Sequence, residues 1–209
     1  VAGAVAIGYT YRGTLLQGKM GPVSGSCDGK GCPVSGPVSG SQVNDAINRA
    51  EFAKLLALAI NEPIAAYQSC FTDVESIAWY TDYVCFLTEK DIMHGYPDGT
   101  FGPGKKVNRA EAAKILMNAY YYSVSGSGNN SGSSVDGLAY TDVTTDTWYY
   151  SAVMSGSKLK LFDVKPFVGA KFYPANTLSK GRAQLWIKNF KNAVAWQLFG
   201  ANPKGLPVK

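Results

Sequence analysis

The tetrapeptide Asn-Arg-Ala-Glu occurs twice, at Asn48–Glu51 and at Asn108–Glu111. A repeat restricts the fold more than composition does, because each copy must bury its apolar face against its neighbours. The surroundings repeat as well. Phe71–Val74 (FTDV) returns as Tyr140–Val143 (YTDV), and each is followed at the same distance by a tryptophan, Trp79 and Trp148. An aromatic-x-proline follows, Phe101–Pro103 and Phe172–Pro174. Beyond each proline stands the tetrapeptide or its counterpart, Ser179–Arg182 (SKGR).

The segments after these tetrapeptides share one apolar pattern. Phe52, Leu55, Leu56, Ala59 and Ile60 recur as Ala112, Ile115, Leu116, Ala119 and Tyr120, and again as Ala183, Trp186, Ile187 and Phe190. Spacing of three and four residues marks a helix packed along one side. Asn48 and Asn108 suit the N-cap, with Glu51 and Glu111 placed to complete a capping box. Ser179 can cap the third helix, where Arg182 replaces the Glu. A further helix per repeat is expected over about Trp79–Lys90 and Trp148–Lys158, with a tight turn at Gly95–Thr100 (GYPDGT). The fold class is therefore mainly α, with each full repeat reading helix, loop, helix. The first copy keeps only its second helix.

This divides the chain. Residues 1–42 form an extended arm, β-prone at first and then rich in Gly, Ser and Pro, which cannot build a core alone. The repeat domain covers residues 43–199: a half-repeat at 43–69, a repeat at 70–122, a Gly/Ser loop at 123–138 and a repeat at 139–199. Residues 200–209 are a tail.

The four cysteines fall in two close pairs, Cys27 with Cys32 and Cys70 with Cys85. The only histidine is His94, so zinc is not expected, and GYPDGT lacks the alternating acids of a calcium loop. Two local disulfides in an oxidising compartment, or four free thiols, remain open. Residues 1–139 carry 10 Lys+Arg against 12 Asp+Glu, whereas residues 140–209 carry 10 against 3. A basic C-terminal third attracts an anionic polymer. No nucleic-acid-binding signature accompanies it. The longest apolar run, Val1–Tyr9, is too short to span a bilayer and reads as the start of an exported chain. No nucleophile motif is present, so an enzyme and a cofactor are not expected.

One residue runs against electrostatics. Arg109 stands in the first turn of a helix, where a cation costs a few tenths of a kcal/mol, roughly. A helix start with free N–H groups beside an arginine fork makes a small anion site. The alternative is a solvated arginine or one paired with a nearby Asp.

These residues resemble the S-layer homology (SLH) family, in which F-x-D-V, a Trp-bearing helix, G-Y-P-D-G-T-F-x-P and a T-R-A-E helix follow in order. Phe71–Tyr120 matches nearly throughout, with Asn108 in place of the Thr of T-R-A-E. Tyr140–Phe190 departs at the turn and at SKGR, and Asn48–Ile60 is a half-repeat. The resemblance implies a helical pseudo-trimer with grooves between repeats, attached to anionic, often pyruvylated, cell-wall polysaccharide. Carried over, the groove positions are Arg49, Arg109, Lys180, Asp73, Asp142, Trp79 and Trp148. Read from the residues alone, the two tryptophans belong to the core and the two aspartates cap the next helix. The resulting expectation is an extracellular bacterial structural protein that assembles with copies of itself through the arm. The other reading is a wall anchor that binds the polysaccharide.

Overall fold

The computed structural model describes residues 44–126, 128, 140–164 and 169–200. Among them lie five helices: α1 Arg49–Ile60, α2 Thr81–Glu89, α3 Arg109–Ser125, α4 Tyr150–Lys158 and α5 Lys180–Phe199. The mainly α expectation holds. The arm, the pair Cys27 and Cys32, the Gly/Ser loop and the C-terminal tail lie outside the described residues.

The helices start where the caps place them. Asn48 and Asn108 each accept the backbone N–H of the residue three on, and Glu51 and Glu111 accept the N-cap N–H in return. Ser179 Oγ accepts only the Arg182 N–H, because an arginine has no acceptor to return the bond. The expected faces of α3 and α5 are buried, with Ile115 and Leu116 on α3 and Trp186 and Phe190 on α5. Fully burying each such side chain is worth about 1.5–3 kcal/mol. On α1 the buried face is turned: Phe52 and Leu56 are buried, but Leu55, Ala59 and Ile60 are half-buried while Ala53 and Ala57 lie in the core.

The residues just before α1, α3 and α5 hold these helices to one another. Ile47 N–H donates to Leu178 O (2.9 Å), Leu178 N–H to Val107 O (2.8 Å) and Val107 N–H to Ile47 O (3.1 Å). The three bonds close a ring, and all three side chains are buried. Antiparallel bridges Ala46–Ser179, Asn48–Lys106 and Asn108–Thr177 flank it. α1, α3 and α5 pack pairwise around this ring. α2 packs on α1 and α4 on α3, so each repeat's first helix lies on the second helix of the repeat before it.

The loops are tied down equally well. Asp98 accepts the Thr100 N–H and hydroxyl, and Tyr96 N–H reaches Thr100 O, which closes the GYPDGT turn with Gly99 at φ 81°. Cys70 and Cys85 form a disulfide. It fastens the first residue of the second repeat to the buried side of α2.

The disulfide closes a span of 15 residues, a loop length worth about 3 kcal/mol of unfolded-state entropy. The Cys70→Ser/Cys85→Ser variant is expected to lose that amount in denaturant unfolding. An unchanged midpoint would show that α2 docks without the crosslink.

Candidate functional site

The helix starts differ from the sequence-based expectation. Their N–H groups are not free. Arg49 N–H donates to Lys105 O and Ala50 N–H to Pro103 O, while Arg109 N–H donates to Asn176 O and Ala110 N–H to Pro174 O. The next two N–H groups in each helix go to the N-cap side chain and its carbonyl. Every donor these two helix starts would offer an anion is thus spent, the first two on the loop of the following repeat and the next two on the helix's own N-cap. In α5 the Lys180 N–H donates to Asp45 O.

The arginine side chains follow the same path. Arg49 Nε donates to Phe101 O (2.8 Å) and Nη2 to His94 O (2.6 Å), and the guanidinium lies over the Tyr96 and Phe101 rings. Arg109 Nε donates to Phe172 O (2.7 Å), and its guanidinium lies over Phe172 and Trp186. Each arginine thus pins the aromatic-x-proline loop of the next repeat. Burial pulls both guanidinium pKa values down. Lys180 instead pairs with Glu51 (2.9 Å).

Arg109 is only 1% exposed, and its Nη1 and Nη2 find no hydrogen-bond partner among the described residues. Its charge is answered by Asp163, whose Oδ1 is 3.5 Å from Nη1. The same carboxylate accepts Trp186 Nε1–H (2.8 Å) and pairs with Arg182 (3.2 Å). This accommodates the change at the last position of the tetrapeptide, from the Glu of NRAE to the Arg of SKGR. Glu111, which helps hold the charge on Arg49, has Arg182 as its counterpart beside Arg109. A second cation there needs an acid between the two, and Asp163 supplies it. Burial pushes the Asp163 carboxyl up, but the Trp186 N–H and the two guanidiniums outweigh this and hold it below the usual carboxylate range. Sequence reasoning missed Asp163. The available signal was its place among only three acids in residues 140–209.

Asp73 and Asp142 do not cap helices. Asp73 accepts the Phe101 and Gly102 N–H groups, and Asp142 those of Phe172 and Tyr173, at 2.7 and 2.8 Å in both cases. Each carboxylate clamps the loop that the preceding repeat's arginine pins. Trp79 and Trp148 are not core residues either, being 48% and 61% exposed. Each stacks edge-on against the next tyrosine at 5.2 Å. That contact fixes the ring while leaving one flank open to solvent.

Two of the seven positions meet at one depression. A cavity of about 270 Å³ between repeats is bordered by Arg49, His94, Gly95, Glu111, Lys114 and Trp148. Gly95 leaves no room for a side chain, since a Cβ would sit 2.3 Å from Phe71 and 2.6 Å from Thr100 O. Lys54 stands on α1 where Lys114 stands on α3, with its Nζ 5.3 Å from the Trp79 ring. Neither lysine was singled out from the sequence, although both lie three residues after the tetrapeptide. A basic group, a half-open indole and exposed backbone are the parts needed to hold an acidic sugar. Among the described residues no cluster of His, Cys, Asp and Glu could hold a metal. None of the described helices is long and apolar enough to cross a membrane.

Residues 71–113 match the S-layer homology domain family. A surface layer protein of Brevibacillus choshinensis is 34% identical over 119 residues, 55% of this chain and 9% of that protein. A middle cell wall protein of Brevibacillus brevis is 33% identical over 84 residues, 38% of this chain and 8% of that protein. A cellulosome-anchoring protein of Acetivibrio thermocellus is 38% identical over 73 residues, 33% of this chain and 16% of that protein. The chain therefore spans only a small part of the length of the curated relatives it matches.

A carboxylate whose pKa is depressed by folding adds stability above its unfolded value, about 3.9 for Asp, and that stability is lost as pH falls through the folded value. Asp163→Asn should accordingly cost about 2 kcal/mol at neutral pH, the scale of a charge-assisted bond. The gap to the parent chain should close as pH drops below about 4. Thermal unfolding of both chains across this range is the check, and a gap that ignores pH would count against the ion cluster.

Proposed function

We propose that this chain, whose residues 71–113 match the S-layer homology domain family, is a non-enzymatic protein of the bacterial cell surface that holds an anionic wall polysaccharide in the groove between its repeats. The observation that carries the reading is the meeting of Arg49, Lys114 and Trp148 around one cavity. Lys114 and Arg49 supply charge for a sugar carboxylate, as in a pyruvylated or uronic residue. Trp148 supplies an apolar face for the sugar ring. Trp79 with Lys54 forms the corresponding pair on α1. Asp73, Asp142 and Arg109 act indirectly, by fixing the loops that border the grooves. Lys180, paired to Glu51, keeps α5 seated beside α1. One relative is a cellulosome-anchoring protein, which supports attachment as a use for such a domain.

Lys114→Gln and Trp148→Ala are each expected to weaken binding to purified secondary cell-wall polysaccharide about tenfold or more, or roughly 1.4 kcal/mol. Reduction of the polysaccharide's carboxyl groups should have the same effect on the unaltered chain. Retention of full affinity in both experiments overturns the reading.

A second reading is favoured by the surface layer proteins among the relatives. In it the chain is also a subunit of an array, and residues 1–42 make the contact with the next copy by strand addition or by lying in a groove. Sedimentation velocity and electron microscopy on the full chain and on one lacking residues 1–40 test it. Large regular particles from the full chain alone support assembly, and two monomers dismiss it.

A further inference from the structure

A second cleft lies away from the groove, where the end of α4 faces the C-terminal half of α5. Its volume is about 520 Å³, and Lys158, Lys160, Asn189, Asn192, Trp196 and Gln197 border it. The corresponding place in the second repeat is built from opposite chemistry. The hydrogen bonds Ile92 N–H to Leu87 O and Leu161 N–H to Gly156 O align the two helix exits. Lys158 and Lys160 then stand where Glu89 and Asp91 stand. Lys160 and Asp91 share the left-handed backbone at φ 57°, which confirms the register. In the second repeat Glu89 accepts the Tyr67 hydroxyl and pairs with Lys90. There the carbonyls of Lys90 and Asp91 lie directly against Gly128. In the third repeat the lysines replace the acids, and a cleft lies there among the described residues.

The side chains in this cleft are those that grip sugars. Trp196 is 51% exposed. Unlike Trp79, Trp148 and Trp186, it has no aromatic partner among the described residues. At that exposure it presents an apolar surface to the cleft on which a pyranose ring can stack. Asn192 and Gln197 offer both donors and acceptors to hydroxyl groups, while Asn189 already spends one N–H on Leu161 O. Lys158 and Lys160 are exposed and have no acidic partner within 4 Å among the described residues. Asn192 also borders a cavity of about 410 Å³ on the other side of α5, with Lys188 and Lys191. A polymer crossing α5 at Asn192 would therefore meet a lysine pair on each side.

We infer that the cleft between α4 and α5 is a second saccharide site, which takes a carboxylate-bearing sugar of the same polymer held in the groove. The inference rests on the proposed binding of anionic wall glycan, and it assigns that polymer a second point of contact. Two linked contacts raise the overall affinity well beyond either alone.

The test is a titration of the full, 15N-labelled chain with trigalacturonate, with cellotriose as the neutral control. The indole N–H signals of the four tryptophans are followed after assignment by single Trp→Phe variants. The Trp196 signal is expected to move saturably with trigalacturonate and to stay still with cellotriose. Lys158→Glu/Lys160→Asp, which installs the residues of the second repeat, should weaken this response at least tenfold, roughly. Lys114→Gln should leave it unchanged. Movement of Trp148 alone keeps the groove and overturns the second site. Movement of Trp196 alone keeps the second site and overturns the groove. Stillness of both, or an equal response to cellotriose, overturns the inference. So does a Trp196 response untouched by the double substitution in a chain with unchanged thermal unfolding.

Discussion

Three backbone hydrogen bonds, from Ile47 to Leu178, Leu178 to Val107 and Val107 to Ile47, close a ring at the centre of the molecule. Each is worth only about 1 kcal/mol net, but a buried backbone group left unpaired costs more than that. No segment can leave the ring without stranding its neighbours' donors and acceptors. Because each ring residue immediately precedes an N-cap, the ring sets where α1, α3 and α5 begin and how they face one another. The apolar faces then close around it, with Phe52, Leu116 and Trp186 among the buried side chains. Residues far apart in sequence are brought together by this arrangement, and the groove is one result.

The first turns of α1 and α3 carry the connections outward from the ring. In each, the leading N–H groups and the arginine reach the next repeat's loop, and an aspartate from that repeat grips the same loop from the other side. An arginine in a helix's first turn is unfavourable in isolation. Here the guanidinium is sandwiched by aromatic rings and bonded to carbonyls, which gives it more than the dipole costs. The arrangement also leaves little slack, since Arg109 already has two unmatched nitrogens. Asp163 is what makes that burial tolerable.

The third repeat shows how a repeat can diverge without losing its place. Arg182 in place of a glutamate would repel Arg109, and Asp163 stands between them. Tyr173 takes the left-handed backbone that Gly102 holds in the second repeat, a conformation costing a non-glycine residue about 1–2 kcal/mol. The Asp142 clamp on its N–H helps to hold it there. At the exit of α4 the charges have reversed, with Lys158 and Lys160 where the second repeat has Glu89 and Asp91. Positions inside the ring and the clamps keep their chemistry because packing and backbone pairing demand it, whereas exit positions are free to acquire a different one.

Much of the fold was written locally in the sequence. The repeated NRAE, the apolar spacing and the cap residues fixed the existence and starts of α1, α3 and α5, since capping and amphipathic burial depend on residues within a few positions of one another. The Cys70–Cys85 pair was legible for the same reason. The site was less so. That the first two N–H groups of α1 and of α3 are already occupied, and that Asp73 and Asp142 hold loops rather than helices, are consequences of partners 28 or more residues away. The exposure of Trp79 and Trp148 was equally hidden, because it depends on how the helices pack. A single repeat contains no information about which neighbour's carbonyl will take its donors. Sequence determined the units and their faces, and tertiary structure decided which groups those units use on each other and which they leave for a ligand.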